Sequence, residues 1–234
     1  MHATEITPPV LEFRNATIVS AGAGFVPLRR VDLQIAPRKV ALVRSERGAS
    51  LLPLAAAASG LLDCDSGDVL FESRLWRDTG PTEAARRRGR IGWVFAQWGW
   101  ISNLTVLENV TLAQRHHRRR AASDVEQEAN RLARRVGLDQ VPTGRPAFVA
   151  PRDLRRAQWV RALVGRPALV LLEHPVAEDV LPYLDGLWSV VADAQSSGTA
   201  ILWITSLDQV WNHAAAVAAE RYTIEGHRLR PHTA

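Results

Sequence analysis

The residues best equipped for chemistry stand just beyond short apolar runs. Glu173-His174-Pro175 follows the run from Ala168 to Leu172, and a histidine so placed could act as a base near neutral pH. The string Val43-Arg44-Ser45-Glu46-Arg47-Gly48-Ala49-Ser50 follows a run that begins at Lys39. Ser206 closes the run from Ala200 to Thr205, and Gln97 follows Ile91 to Phe95 with one residue between. Trp98 and Trp100, read as exposed, serve equally as interface anchors or as core. Cys64 is the only cysteine, which excludes an intrachain disulfide framework and fits a reducing compartment.

The net charge of the 234-residue chain is +5, and Lys39 is its only lysine. An arginine excess of this kind reads as solvated faces, with contact to an acidic partner, nucleic acid or membrane head groups as the functional reading. Met1 to Val10 has no basic stretch leading into an apolar one, so no signal peptide is expected. Leu51 to Leu62 is the longest nearly apolar stretch, well short of the roughly 20 residues a bilayer span needs. The expectation is a soluble, cytoplasmic protein, or one held at a membrane by partners.

The elements that must position these residues alternate in type. Leu11 to Val19 and Arg30 to Ile35 alternate apolar and polar, as half-buried antiparallel strands do. Lys39 to Val43, Ile91 to Phe95, Ala168 to Leu172 and Ala200 to Thr205 are denser in apolar residues and suit central parallel strands. Tyr222 to Arg228, centred on Glu225-Gly226, predicts a terminal hairpin. Ser123-Asp124-Val125-Glu126 has the spacing of a capping box, with Ala129, Leu132, Ala133 and Val136 on one face and Gly137 as the stop. Leu154 to Val164, with outward arginines, and Pro182 to Ala194 are further helices. Strands alternating with helices predict a parallel α/β core. The stretch from about 98 to 158 has no strand pattern and predicts a helical lobe inserted into a single domain, residues 1–234. Arg115 to Arg120 reads as a solvated helix end.

Read in order from about residue 11 to 230, these strings resemble those of ATP-binding-cassette (ABC) transporter ATPases. Gly60-Leu61-Leu62-Asp63-Cys64-Asp65-Ser66-Gly67-Asp68-Val69 matches the segment after that family's first core helix. Leu104-Thr105-Val106-Leu107-Glu108-Asn109-Val110 matches its helical lobe, and Arg161 to Leu172 its signature helix and Walker B strand. The resemblance implies an α/β P-loop NTPase fold: a RecA-like parallel core, an N-terminal antiparallel β subdomain and an inserted helical subdomain.

Measured against that family, the site motifs are altered. The phosphate loop, normally G-x-x-x-x-G-K-[ST], corresponds to Ser45, Arg47, Gly48, Ala49 and Ser50. It lacks the lysine in any register and carries Glu46, which repels phosphate at close range; Arg44 or Arg47 offers a bulkier cation. The adenine-stacking aromatic falls near Ser20, with Phe25 a distant substitute. Ala96 stands where the Q-loop glutamine belongs, with Gln97 one residue late. The signature reads Val149-Ala150-Pro151-Arg152-Asp153, in which Pro151 lacks an N–H and Arg152 replaces a glycine; the Arg152 side chain reaching a partner's phosphate is the alternative. Walker B ends in Glu173 and His174 rather than Asp-Glu, and Ser206 stands at the switch histidine. The D-loop, Val176 to Asp179, looks shortened. Ser50 and Glu173 are the weak candidates for holding Mg²⁺.

The resemblance implies partners and place. ABC ATPases pair, as homo- or heterodimers, and dock permease subunits through the surface after the Q-loop, here Trp98, Trp100 and Ile101. Ile101 to Val110 most resembles ATPases of Mla/MCE phospholipid transporters and lipoprotein exporters, which also suggests an MCE-type substrate-binding partner. The expectation is a degenerate cassette, peripheral on the cytoplasmic face of the inner membrane. It binds ATP and Mg²⁺ weakly or not at all, hydrolyses little or no ATP, and has no nucleic-acid partner. One alternative is a divergent active ATPase using Arg47, Gln97 and His174. Another is a soluble scaffold or regulator with its basic surface on nucleic acid.

Overall fold

A computed structural model describes residues 7–19, 26–45, 53–97, 99–117 and 120–232. Two sheets organise the chain. Strands β1 (Leu11–Ile18), β2 (Leu28–Ile35), β4 (Ser66–Phe71) and β5 (Arg74–Leu75) form an antiparallel sheet in the order β2-β1-β4-β5. Strands β3 (Val40–Arg44), β6 (Ile91–Val94), β7 (Leu169–Glu173), β8 (Ala200–Thr205), β9 (Glu220–Glu225) and β10 (Arg228–Pro231) form a second sheet, ordered β10-β9-β3-β8-β7-β6. All its pairings are parallel except the β9–β10 hairpin at the edge.

The dense apolar runs are explained by burial on both faces. Val40 and Leu42, Val170 and Leu172, and Ile201 and Trp203 face a core shared with helices α3 (Val106–His117), α4 (Ala122–Arg135), α5 (Pro151–Leu163) and α6 (Leu184–Ser196). The alternate residues Ala41, Val43, Leu169, Leu171, Leu202 and Ile204 face a second core with the antiparallel sheet and α1 (Leu54–Ala58). A short helix, α2 (Pro81–Arg88), leads into β6, and α7 (Asp208–Trp211) follows β8. From 99 to 158 the described residues form α3, α4, a 3-10 turn at Pro146–Phe148 and the first part of α5, with no strand.

Helix α5 lies close against β6 because Gly92 has no side chain. A Cβ there would come within 1.7 Å of the Ala162 carbonyl oxygen. That contact sets the last turn of α5 against β6, and Arg161 of the same turn reaches the segment that follows the strand.

Several local expectations need correction. Ser123 is inside α4, whose N-cap is Ala121 with no side-chain cap. The reciprocal box is instead at the start of α3: Thr105 N donates to Glu108 Oε2 (2.8 Å), and Glu108 N donates to Thr105 Oγ1 (3.1 Å). The Pro182 helix begins as a 3-10 helix over Glu178–Tyr183, with α6 starting at Leu184. A proline at 182 has no N–H to donate back to the preceding turn, so regular α-helix forms only after it. Helix α5 starts three residues earlier than its apolar pattern, at Pro151, which is favoured at a first helical position. Nor do all its arginines face out. Arg156 is buried, pairs with Asp153 (2.6 Å), donates to the Gly137 carbonyl and lies over the Tyr183 ring.

Candidate functional site

Parallel strands end together, so their carboxyl ends form one crest. Register aligns Arg44 of β3 with Thr205 of β8, and Glu173 of β7 with Ile204 of β8. The crest therefore gathers Arg44-Ser45, Glu173-His174, Thr205-Ser206 and, past β6, Ala96-Gln97. This is where open α/β sheets place ligands. Arg47, Gly48, Ala49, Ser50, Trp98, Ser20 and Phe25 lie outside the described residues.

At the crest, polar groups turn to protein partners. Ser45 is buried, its N–H donates to the Thr205 carbonyl (2.9 Å), and its hydroxyl reaches the same oxygen at 3.4 Å. Arg44 forms an ion pair with Asp208 at the start of α7 and lies over the Trp211 ring, 5.4 Å from its centroid. Ser206 is half-buried and Gln97 exposed.

Glu173 is the most perturbed of these groups. It is 9% exposed, and its Oε2 accepts the indole N–H of Trp93 at 2.8 Å. The Ala96 backbone supplies a further hydrogen bond. Burial raises its pKa to about 7, although both hydrogen bonds favour the ionised form. Trp93 itself is held by stacking on Phe95 at 4.6 Å. His174 follows with φ of +44°, a left-handed conformation uncommon outside glycine. Its N–H donates to the Ile204 carbonyl (2.9 Å), and burial lowers its side-chain pKa, keeping the imidazole neutral at pH 7.

The signature residues are elsewhere. Ala150 caps α5, and Pro151 to Asp153 form its first turn, with Ala150, Pro151 and Arg152 exposed and Val149 and Asp153 half-buried. Arg152 lies 3.6 Å from Asp153. The same helix reaches the end of β7 only at Trp159, whose Nε1 donates to the Pro175 carbonyl (2.9 Å). Pro151 is thus about 12 Å further along the helix, at 1.5 Å per residue. Asp179 of the segment after β7 meets Arg155 at 3.6 Å.

Between crest and lobe runs the segment after Gln97. Trp100 is half-buried against the helical-side core, contrary to its reading as exposed, whereas Ile101 is 44% exposed. Arg161 of α5 lies between Phe95 (5.3 Å) and Trp100 (4.6 Å) and donates to the Gly99 carbonyl (2.7 Å). Asn109, buried in α3, accepts from Ile101 N (2.9 Å) and donates toward the carbonyls of Ile101 (3.1 Å) and Thr105 (2.9 Å). Trp93, Arg161 and Asp208 were absent from the sequence expectations. The available signal was weak: an indole N–H in a buried strand needs an acceptor, but neither spacing nor type says which.

Solved structures match the fold. A dimeric ATP-binding cassette bound to ADP and Pi superposes with a TM-score of 0.79 and 18% identity, covering 96% of this chain and 99% of the other. The fold is that of an ABC ATPase cassette. An ATP-binding subunit of another ABC transporter gives a TM-score of 0.74 at 15% identity, covering 95% and 90%. Among curated proteins, the cassette is similar to a ribose import ATP-binding protein of Rubrobacter xylanophilus, 29% identical over 91% of this chain and 43% of that one. A molybdenum import ATP-binding protein of Saccharophagus degradans is 27% identical over 72% of this chain and 48% of its own length. The chain thus spans under half the length of these two relatives. The glutamate/aspartate import ATP-binding protein of Escherichia coli K12 is 24% identical over 77% of the cassette and 75% of its own length. No family model matches. No described helix is long and apolar enough to cross a membrane.

Proposed function

We propose that the chain is a catalytically degenerate cassette of a membrane ABC transporter. It pairs with a second ATP-binding subunit, docks the permease from the cytoplasmic side, and hydrolyses little or no ATP. The observation that carries this proposal is the placement of Glu173, buried with its Oε2 accepting the Trp93 indole N–H at 2.8 Å. A magnesium-holding carboxylate must be ionised and have free lone pairs. Burial raises the Glu173 pKa to about 7, and the carboxylate accepts from Trp93 and Ala96. A phosphate loop without lysine and a buried Glu173 that accepts two hydrogen bonds from the protein make a poor donor set for Mg·ATP. His174 stands at the position where the resemblance puts the glutamate that polarises the attacking water. Arg44, the cation preceding the phosphate loop, is paired with Asp208.

Docking is supported by a different region. Arg161 and Asn109 hold the backbone from Gly99 to Ile101 on the helical lobe, which presents Ile101 to a partner. The lipid reading of the cargo rests on the string from Ile101 to Val110, whereas the curated relatives are named for import of molybdenum, ribose or glutamate. Transport of labelled phospholipid by the reconstituted complex, compared with each of those solutes, separates these cargoes.

The test of the subunit role is purification of the chain from its native membrane. It is expected to bring down an integral membrane subunit and an intact cassette. Replacing the intact cassette's catalytic carboxylate then abolishes hydrolysis by the complex, while His174→Ala in this chain leaves it unchanged. Recovery of the chain without any membrane subunit overturns the reading.

A further inference from the structure

Away from the crest, the β4–β5 hairpin and helix α2 enclose a cavity of about 280 Å³ lined by Glu72, Arg74, Glu83, Arg86, Arg87 and Arg90. Four arginines thus face two glutamates, an excess of two positive charges in one small space. Both carboxylates are already taken. Glu83 holds Arg86 through two bonds, at 2.9 and 3.1 Å, and Glu72 holds Arg90 at 2.5 Å. Among the described residues, Arg74 and Arg87 have no ion-pair partner.

Arg87 is the informative member. It is 5% exposed, and its Nε and Nη2 have no hydrogen-bond partner. Its guanidinium lies over the rings of Phe71 (5.4 Å) and Trp76 (5.2 Å), which stack on each other. Those rings explain why the flat group packs there. They supply neither a counter-charge nor an acceptor for its N–H groups, and a buried unpaired charge is among the costliest arrangements a protein carries. Burial lowers the Arg87 pKa; the attraction of Glu72 and Glu83, neither within ion-pair distance, is opposed by repulsion from Arg74 and Arg90. The C-terminus of α2 offsets part of this charge, since cations are favoured in a last turn. That partial charge does not neutralise an excess of two.

We propose that this arginine pocket binds a phosphate-type anion, either a free phosphate group or the head group of an anionic phospholipid. Phosphate brings up to two negative charges and several acceptor oxygens, which match the surplus charge and the fork geometry of guanidinium. The volume accommodates a single phosphate group with its immediate substituent. Arg90 immediately precedes β6, at the amino end of the parallel strands, so the pocket is at the opposite end of the sheet from the crest.

The test is calorimetric titration of the full chain with inorganic phosphate against chloride at matched ionic strength. Saturable binding is expected. Arg74→Ala, an exposed substitution that spares the core, is expected to weaken it about tenfold, the size of one lost charge-assisted contact. Arg87→Leu is expected to abolish it, and Arg47→Ala, in the phosphate loop, to leave it unchanged. Sedimentation with phosphatidylglycerol vesicles, but not phosphatidylcholine vesicles, in an Arg74-dependent manner identifies the head group as the source; phosphate binding without sedimentation identifies a free phosphate group. Absence of saturable binding, binding indifferent to Arg74→Ala, or binding lost in Arg47→Ala overturns the proposal.

Discussion

The start of α3 and the crest of the parallel sheet are both rich in polar side chains, and they use them oppositely. At α3, Thr105, Glu108 and Asn109 satisfy backbone groups of the segment leading into the helix. Those bonds are structural, and the string that contains them still matches the family. At the crest, Glu173, Ser45 and Arg44 stand where ligand chemistry belongs but bond to Trp93, Thr205 and Asp208. The contrast is between bonds that shape the lobe and bonds that occupy polar groups at the crest. On the proposed degenerate reading, the first set is what holds the lobe in shape and the second is what takes up side chains that would otherwise face a ligand.

The largest expected effect comes from breaking the α3 side. Asn109→Leu strands the Ile101 N–H and the Leu104 carbonyl, whereas the Ile101 and Thr105 carbonyls keep bonds from Leu104 N and Asn109 N, and denaturant unfolding should report a loss of about 2–4 kcal/mol, given about 1–3 kcal/mol for each stranded group. A loss below about 1 kcal/mol would mean that the segment is not held by Asn109.

The next effect sharpens the crest side and depends on pH. Burial sets the folded pKa of Glu173 at about 7, above its ordinary 4.5. Between these values the native state keeps a proton that the unfolded chain has released. Stability therefore falls as pH rises through that window and levels off above about 7. The contribution is about 3 kcal/mol at 1.36 kcal/mol per pKa unit. Glu173→Gln should match wild type near pH 5 and exceed its stability near pH 8 by up to that amount. Equal stabilities at both pH values would refute the buried, proton-holding state.

Smaller effects complete the comparison. Thr105→Ala should cost about 1 kcal/mol, as a lost N-cap does, while Ser123→Ala should cost under about 0.5 kcal/mol. The reverse order would restore the cap to Ser123. Arg44→Ala should cost at most about 1 kcal/mol, because both members of its ion pair are more than 40% exposed. A larger loss of thermal stability would make that pair structural.

The fold was legible because burial leaves a periodic mark. Runs such as Ala200–Thr205 are apolar on both faces only because two cores cover them, and the strand ends were read nearly to the residue. Capping was less legible. Ser123-x-x-Glu126 and Thr105-x-x-Glu108 share one spacing, and only the chain path shows that Thr105 precedes its helix while Ser123 is inside one. At the site, the residues at the strand ends could be named from their order along the chain, but their partners could not. Trp93 meets Glu173 across 80 residues, and Arg44 meets Asp208 across 164. Neither pairing has any local pattern.

The central claim is tested most directly by steady-state turnover of Mg·ATP at millimolar nucleotide by the purified full chain, beside the same chain carrying His174→Ala. The account predicts that neither releases phosphate above the buffer rate. Turnover by the wild-type chain that disappears in His174→Ala would contradict it and make His174 a working base.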